Sequence, residues 1–241
     1  MKEVQITSGF GTLCGTMFSD SDSLKKPGVL LLHGWMSAQD RMYEIAGLLA
    51  TEMGAVCLTV DLRGHGKTGG DLEPLSRKDF LDDVLVAYDY LASQENVDAT
   101  RMGVIGSSFG GHLAALLTAR RGLSWAVLHV PADYPDASFA DSKVLAPDNM
   151  GWRQEVRVWS TTDALRSLHS FGGKVLIVES EKDEVIPRQT LLNYQNATQG
   201  NSSYVIMKNA PHSITRYPDF KRELNHIVSE WLTSEVYPEK G

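Results

Sequence analysis

Apolar residues recur along the chain in two rhythms. Short runs bounded by Gly, Pro and Asp fall at about residues 29–33, 55–60, 102–106, 125–130, 174–179 and 203–208. Each has the length of a strand buried on both faces. Between them, Met42, Ile45, Ala46 and Leu49 follow the i, i+3, i+4, i+7 spacing of an amphipathic helix, as do Leu81, Val84, Leu85 and Tyr88. Phe220, Leu224, Ile227, Val228 and Trp231 mark a final one. Strand and helix alternate, which predicts an α/β fold with a mostly parallel sheet covered by helices on both faces. Ahead of the first parallel run, Val4 to Phe18 carries Gly9, Gly11 and Gly15 among alternating residues and predicts an antiparallel hairpin at the sheet edge.

Residues 131–172 break this rhythm with Pro131, Pro135, Pro147 and the aromatics Tyr134, Phe139, Trp152 and Trp159. A long irregular stretch inside a compact chain is usually functional, so a lid or cap is expected here, inserted in a single domain spanning 1–241. Ser160-Thr161-Thr162-Asp163, ahead of Ala164, Leu165 and Leu168, reads as a helix start with a capping box. The four aromatics are candidate substrate-binding residues and suggest an apolar or aromatic acyl group.

Composition narrows the function classes. The net charge of −7 over 241 residues leaves no basic footprint for a phosphate backbone, so nucleic acid is not an expected partner. No apolar run approaches the length of a membrane span. Cys14 and Cys57 fit neither a disulfide framework nor a metal-ligand spacing, so no metal is expected. The segment Met1 to Ile6 lacks the features of a secretory signal, and a cytoplasmic location is expected. An oligomer is compatible with the pattern, which specifies none.

Gly106-Ser107-Ser108-Phe109-Gly110 reads G-x-S-x-G between the run Met102 to Ile105 and the helix-forming Leu113 to Ala119. A serine held on a tight strand-to-helix turn needs glycine on either side, because neighbouring backbone comes too close for a side chain. Chance supplies this motif often enough that its context has to carry it. A serine hydroxyl also needs a base, and the base needs an acid to fix its tautomer. Of seven histidines, His212 in Ala210-Pro211-His212-Ser213 lies on the loop leaving the last strand, at the sheet edge where Ser108 lies. His112, His129, His169 and His226 fall within helices or strands and read as structural or surface residues. For the acid, Glu179-Ser180-Glu181-Lys182-Asp183-Glu184 follows a strand and offers four carboxylates, of which Asp183 is the first choice; Asp133, after the run ending at Val130, is its rival. Ser108, Asp183 and His212 stand in the chain order of an α/β nucleophile elbow.

The oxyanion donors expected are the backbone amides of Phe109, at the start of the helix, and Trp35, after Leu32-His33-Gly34. His33 reads as a residue bracing its loop. Gly66-Lys67-Thr68 resembles the end of a phosphate-binding loop, but the earlier glycine that loop requires is replaced by Asp61. The Gly-x-Gly of the hairpin opens no helix and fails as a dinucleotide fingerprint.

His33-Gly34, Asp61-x-Arg63-Gly64-His65-Gly66, Gly106-x-Ser108-x-Gly110-Gly111, Asp183 with Val185-x-Pro187, and Pro211-His212 together resemble the α/β-hydrolase superfamily in order and spacing. Within it the chain is most similar to serine esterases and to acylaminoacyl-peptidase-like or dienelactone-hydrolase-like proteins, including cinnamoyl and feruloyl esterases. The resemblance implies a triad of Ser108, Asp183 and His212, an oxyanion hole at Trp35 and Phe109, and no cofactor. Ser108 stands where dienelactone hydrolases proper carry cysteine and where epoxide and haloalkane hydrolases carry aspartate. The function expected is hydrolysis of a small carboxylic ester through an acyl-enzyme. A peptidase, thioesterase or carbon–carbon bond hydrolase would use the same groups, and a non-catalytic ligand-binding protein could share the fold.

Overall fold

The first elements in chain order, in a computed structural model that describes residues 1–9, 11–20, 24–144 and 150–238, are an edge hairpin of β1 (Lys2–Ser8) and β2 (Gly11–Phe18), then β3 (Lys26–Leu32). They are followed by α1 (Tyr43–Glu52), β4 (Val56–Val60), α2 (Arg77–Ala92), β5 (Val97–Ser107), α3 (Phe109–Leu117) and β6 (Trp125–His129). The second half holds α4 (Met150–Arg153), α5 (Asp163–Ser170), β7 (Lys174–Lys182), α6 (Arg188–Ala197), β8 (Ser202–Pro211) and α7 (Pro218–Trp231). All eight strands form one sheet in the order β1-β2-β4-β3-β5-β6-β7-β8. β1 and β2 run antiparallel to each other, β2 runs antiparallel to β4, and the remaining neighbours are parallel.

The period of two along the parallel strands decides which helices cover which face. Leu30, Leu32, Val104, Leu128 and Ile177 pack with α2, α3, α5 and α6. Their alternates Val29, Leu31, Ile105, Val127 and Val178 pack with α1 and α7. Every residue of α3 is buried, as its apolar composition on all sides requires. Because β3, β5, β6, β7 and β8 are parallel, the loops after them open at one edge of the sheet. Gly34, Ser108, Asp133, Asp183 and His212 all leave from that edge, where open α/β sheets hold their ligands.

Each expected strand, the edge hairpin and the three periodic helices are present. Two details differ. α6 lacks a clear apolar stripe because its buried side includes Thr190 and Asn193 beside Leu191, Tyr194 and Ala197. α5 does begin where expected, but its cap is Thr162 alone, whose hydroxyl accepts from the Leu165 amide; Ser160 lies outside the helix and forms no capping box with Asp163. A capping box is present at α2 instead, where Ser76 Oγ accepts from the Asp79 amide and Asp79 accepts from the Ser76 amide. Pro147, one of the residues expected in a lid, lies outside the described residues. Among the described residues no helix is long and apolar enough to cross a membrane.

Candidate active site

β5 and α3 meet at Ser108 in a backbone conformation that an L-residue adopts at a cost, φ 53° and ψ −112°. The strain is held from both sides: the Ser108 amide donates to the His129 carbonyl at 2.9 Å, and the Ser108 carbonyl accepts from Ala132 and His112 at 3.1 Å each. Gly106 and Gly110 are obligatory. A Cβ on Gly106 would overlap the Gly110 carbonyl, and one on Gly110 would overlap the Leu32 and His33 carbonyls. Serine is a favoured helix cap, yet the Ser108 side chain caps nothing. Its Oγ lies 3.1 Å from His212 Nε2.

The loop after β8 carries His212, and the loop after β7 carries Asp183. His212 Nδ1 lies 2.7 Å from Asp183 Oδ2, and the other carboxylate oxygen accepts from the Val185 and Ile186 amides at 2.8 Å each. With the carboxylate as acceptor, Nδ1 carries the ring proton and Nε2 is free to accept from Ser108. The three side chains are therefore hydrogen-bonded in series. Asp133, the rival acid, is elsewhere: it accepts from the Thr162 hydroxyl at 3.1 Å and the Tyr134 amide at 2.9 Å, and its neighbouring ring is His112 at 3.7 Å. Burial pushes Asp133 up to about 7, against the pull of those hydrogen bonds and of Arg153.

The other histidines are accounted for structurally. Burial lowers His129 to about 4, and its ring bridges Ser107 Oγ and Ser180 Oγ at 3.1 and 3.4 Å. His112 is pushed well below its ordinary value by burial, then by Arg77 and Arg153. His226 is paired with Glu230 on the surface, and His169 is stacked on Trp159.

The turn after β3 is fixed by two histidines acting as backbone braces. His33 Nε2 accepts from the Leu62 amide at 3.2 Å, so its Nδ1 donates to the Gly34 carbonyl at 2.8 Å. His65 Nε2 accepts from the Met36 amide at 3.3 Å while its Nδ1 donates to the Arg63 carbonyl at 2.9 Å. Burial holds His33 down to about 4 and lowers His65, so both stay neutral and keep these roles. Asp61 ties the same region together by accepting from the Gln39 amide at 2.7 Å and from the Lys67 amide at 2.9 Å. The turn lies directly against the serine: a Cβ on Gly34 would rest in ordinary contact, 3.5 Å from the Ser108 Cβ. Phe109 opens α3, and its amide is one of the four at a helix start with no partner inside the helix. Among the described residues no hydrogen bond engages the Trp35 amide.

A cavity of about 380 Å³ reaches Ser108, with His212, Gly34 and Trp35 at its mouth and Met42, Ile45, Leu224 and Val228 deeper, between the sheet and α1 and α7. None of the four aromatics expected to bind substrate lines it. Trp159 stacks on His169 with ring centres 3.9 Å apart and is 46% exposed, and Trp152 lies under the Arg157 guanidinium at 3.8 Å. Phe139 packs on the core, and Tyr134 is buried against His112 and Phe109. These rings are occupied by neighbours of their own. The aromatic residue beside Ser108 is instead Trp35, whose ring meets those of His65, Phe80 and Phe109 edge-on. Its sequence signal is its place directly after Gly34, which points to the amide and says nothing of where the ring lies.

A sequence model of the prolyl oligopeptidase family matches residues 42–237, most of the chain. The chain belongs to the prolyl oligopeptidase family. Its membership agrees with the α/β-hydrolase fold of the eight-stranded sheet. Among curated proteins, this family member is 24% identical over 157 residues to a 31.7 kDa Escherichia coli protein of the traX–finO intergenic region, covering 65% of this chain and 52% of that one. The chain spans about half the length of the curated relatives it matches. In structure it is similar to Est1E of Butyrivibrio proteoclasticus, solved with ferulic acid bound, at a TM-score of 0.76 and 19% identity over 98% of this chain and 100% of that one. The Pyrococcus furiosus esterase Pf2001 has a TM-score of 0.69 at 21% identity, over 97% of this chain and 92% of that one.

Proposed function

We propose that this chain is a serine esterase that cleaves a small carboxylic ester through an acyl-enzyme. The observation that carries the reading is the series of hydrogen bonds from Ser108 Oγ to His212 Nε2 at 3.1 Å and from His212 Nδ1 to Asp183 at 2.7 Å, set on a strained elbow. Ser108 Oγ attacks the ester carbonyl carbon while His212 Nε2 takes its proton; Asp183 stays ionised and stabilises the imidazolium. The carbonyl oxygen becomes an oxyanion between the Trp35 and Phe109 amides, aided by the N-terminus of α3. Collapse breaks the bond to the alcohol oxygen, which leaves with the proton from His212. Water then repeats the sequence on the acyl-enzyme, giving the acid and free Ser108. The cavity toward α1 and α7 takes one arm of the ester.

The family match supports peptide-bond cleavage as the second reading. Stopped-flow mixing with p-nitrophenyl acetate tests for the acyl-enzyme, and comparing its turnover with that of peptide p-nitroanilides separates the two. The esterase reading expects a burst of about one p-nitrophenolate per active site followed by slower steady turnover. Faster turnover of peptide p-nitroanilides than of p-nitrophenyl esters would transfer the assignment to a peptidase.

A further inference from the structure

Three cations meet around Tyr134, and among the described residues none of them is held in an ion pair; Asp133 and Asp141 act on Arg77 only from beyond contact. The Arg77 and Arg153 guanidinium carbons each lie 4.7 Å from the centre of the Tyr134 ring, and Lys143 Nζ lies 5.2 Å from it. Lys143 Nζ is also 4.3 Å from the centre of the Trp35 ring and 5.6 Å from that of Phe109. Its ammonium thus sits among three aromatic rings, which attract it but leave its charge in place. Among the described residues none of the three cations has a carboxylate oxygen within 4.0 Å.

The donors behind them are also left over. Arg77 is fully buried; its Nη2 donates to Ser138 Oγ at 2.5 Å, while Nε and Nη1 are buried without a partner. His112 Nε2 is buried without a partner as well, and its ring lies 4.9 Å from that of Tyr134. Arg153 Nε donates to the Asp133 carbonyl at 3.0 Å, but the Asp133 carboxyl is turned to Thr162, and burial raises it to about 7. Burial, with Arg153 and Arg77 nearby, lowers Lys143 to about 8. Gathering like charges next to buried, unpartnered donors destabilises a fold, and such arrangements concentrate where a charged ligand binds.

We infer that Arg77, Lys143 and Arg153 form an anion subsite, and that the ester cleaved at Ser108 carries a carboxylate that this subsite holds. The position fits: the Trp35 and Phe109 rings are 5.5 Å apart, Phe109 follows Ser108 in the chain, and Trp35 lines the cavity at Ser108. Lys143 thus lies against the ring of Trp35, a residue that lines the cavity reaching Ser108. A rigid linker such as a benzene ring would lie against Trp35 while its carboxylate meets the cations, the arginines offering paired N–H donors to the two oxygens.

The proposal rests on the esterase reading for its kinetic arm only, so the test has two arms. In the first, monomethyl terephthalate is compared with methyl 4-carbamoylbenzoate, and 4-acetoxybenzoate with 4-acetoxybenzamide; the pairs place the charge on the acyl and the alcohol side respectively. For one pair, the anionic ester is expected to have the higher kcat/KM by about tenfold to a hundredfold. That ratio is expected to fall below about threefold in Lys143→Met and in Arg153→Met and to survive in Lys143→Arg. In the second arm, calorimetry on the Ser108→Ala protein is expected to show benzoate binding at least about tenfold tighter than benzamide, a difference lost on adding Lys143→Met. Benzoate binding of this kind without turnover of either ester would sink the esterase reading and leave the subsite standing. Ratios near one in both pairs, together with equal binding of benzoate and benzamide, would overturn the subsite.

Discussion

Ser108→Ala is expected to lower turnover of p-nitrophenyl esters by about ten-thousand- to a million-fold, with a Tm within about 3 °C of the parent. The size follows from the role proposed for the hydroxyl, since without it no acyl-enzyme forms and only oxyanion stabilisation of direct water attack remains. The small effect on stability follows from the geometry. Ser108 Oγ caps no helix amide, and its hydrogen bond goes to His212 in a partly exposed pocket. Alanine also tolerates φ 53° about as poorly as serine does, so the strain of the elbow is unchanged. Steady-state kinetics beside a thermal melt check both halves. Retained turnover would remove Ser108 from the chemistry, and a large loss of Tm would mean that the hydroxyl holds the elbow together.

Asp133→Asn is expected to stabilise the protein, and to do so increasingly as pH rises. The Asp133 carboxyl is almost wholly buried and titrates near 7 in the folded chain, against about 3.9 in an unfolded one. A group whose folded pKa is raised keeps its proton longer in the folded state. Its stability contribution is therefore intact below about pH 4 and is lost as pH climbs through the folded value near 7. Asparagine does not titrate, yet a carbonyl oxygen at the place of Oδ1 can still accept from both the Tyr134 amide and the Thr162 hydroxyl, which lie 2.9 and 3.3 Å from it. The gap in unfolding free energy between the variant and the parent is thus expected to grow from near zero at pH 4 to a limit of about 4 kcal/mol above pH 7, about three pKa units at 1.36 kcal/mol each. Urea melts of both proteins across pH 4 to about 8.5 read this directly. A difference of opposite sign would mean that Asp133 is ionised in the folded state and paired with a charged His112.

The sheet and the elbow were legible in the sequence for a common physical reason. Strands buried on both faces leave continuous apolar runs, and the glycines at 106 and 110 are dictated by backbone that would collide with any side chain. Chain order then narrowed the partners of Ser108, because parallel strands bring their following loops to one edge. The segment 131–172 was harder. Its aromatics were visible, but which ring faces a pocket depends on neighbours far along the chain: Arg157 covers Trp152, His169 covers Trp159, and Arg77, from α2, covers Tyr134. The full burial of Arg77 leaves no trace in a pattern of polar and apolar positions, because an arginine at a helix start reads as solvated. His33 was legible as a loop brace from its place after the strand, whereas His65 entered only through the family resemblance; the roles of the two histidines depend on tautomers fixed by the Leu62 and Met36 amides.

The central claim is that Ser108 is a nucleophile activated by His212. It is tested most directly by incubating the native protein with a fluorophosphonate and locating the adduct by peptide mass spectrometry. A single covalent adduct on Ser108, absent when the protein is first unfolded and absent in the Ser108→Ala protein, is the expected result. Native protein that takes up no label at Ser108, or takes it up at another residue, would contradict the account.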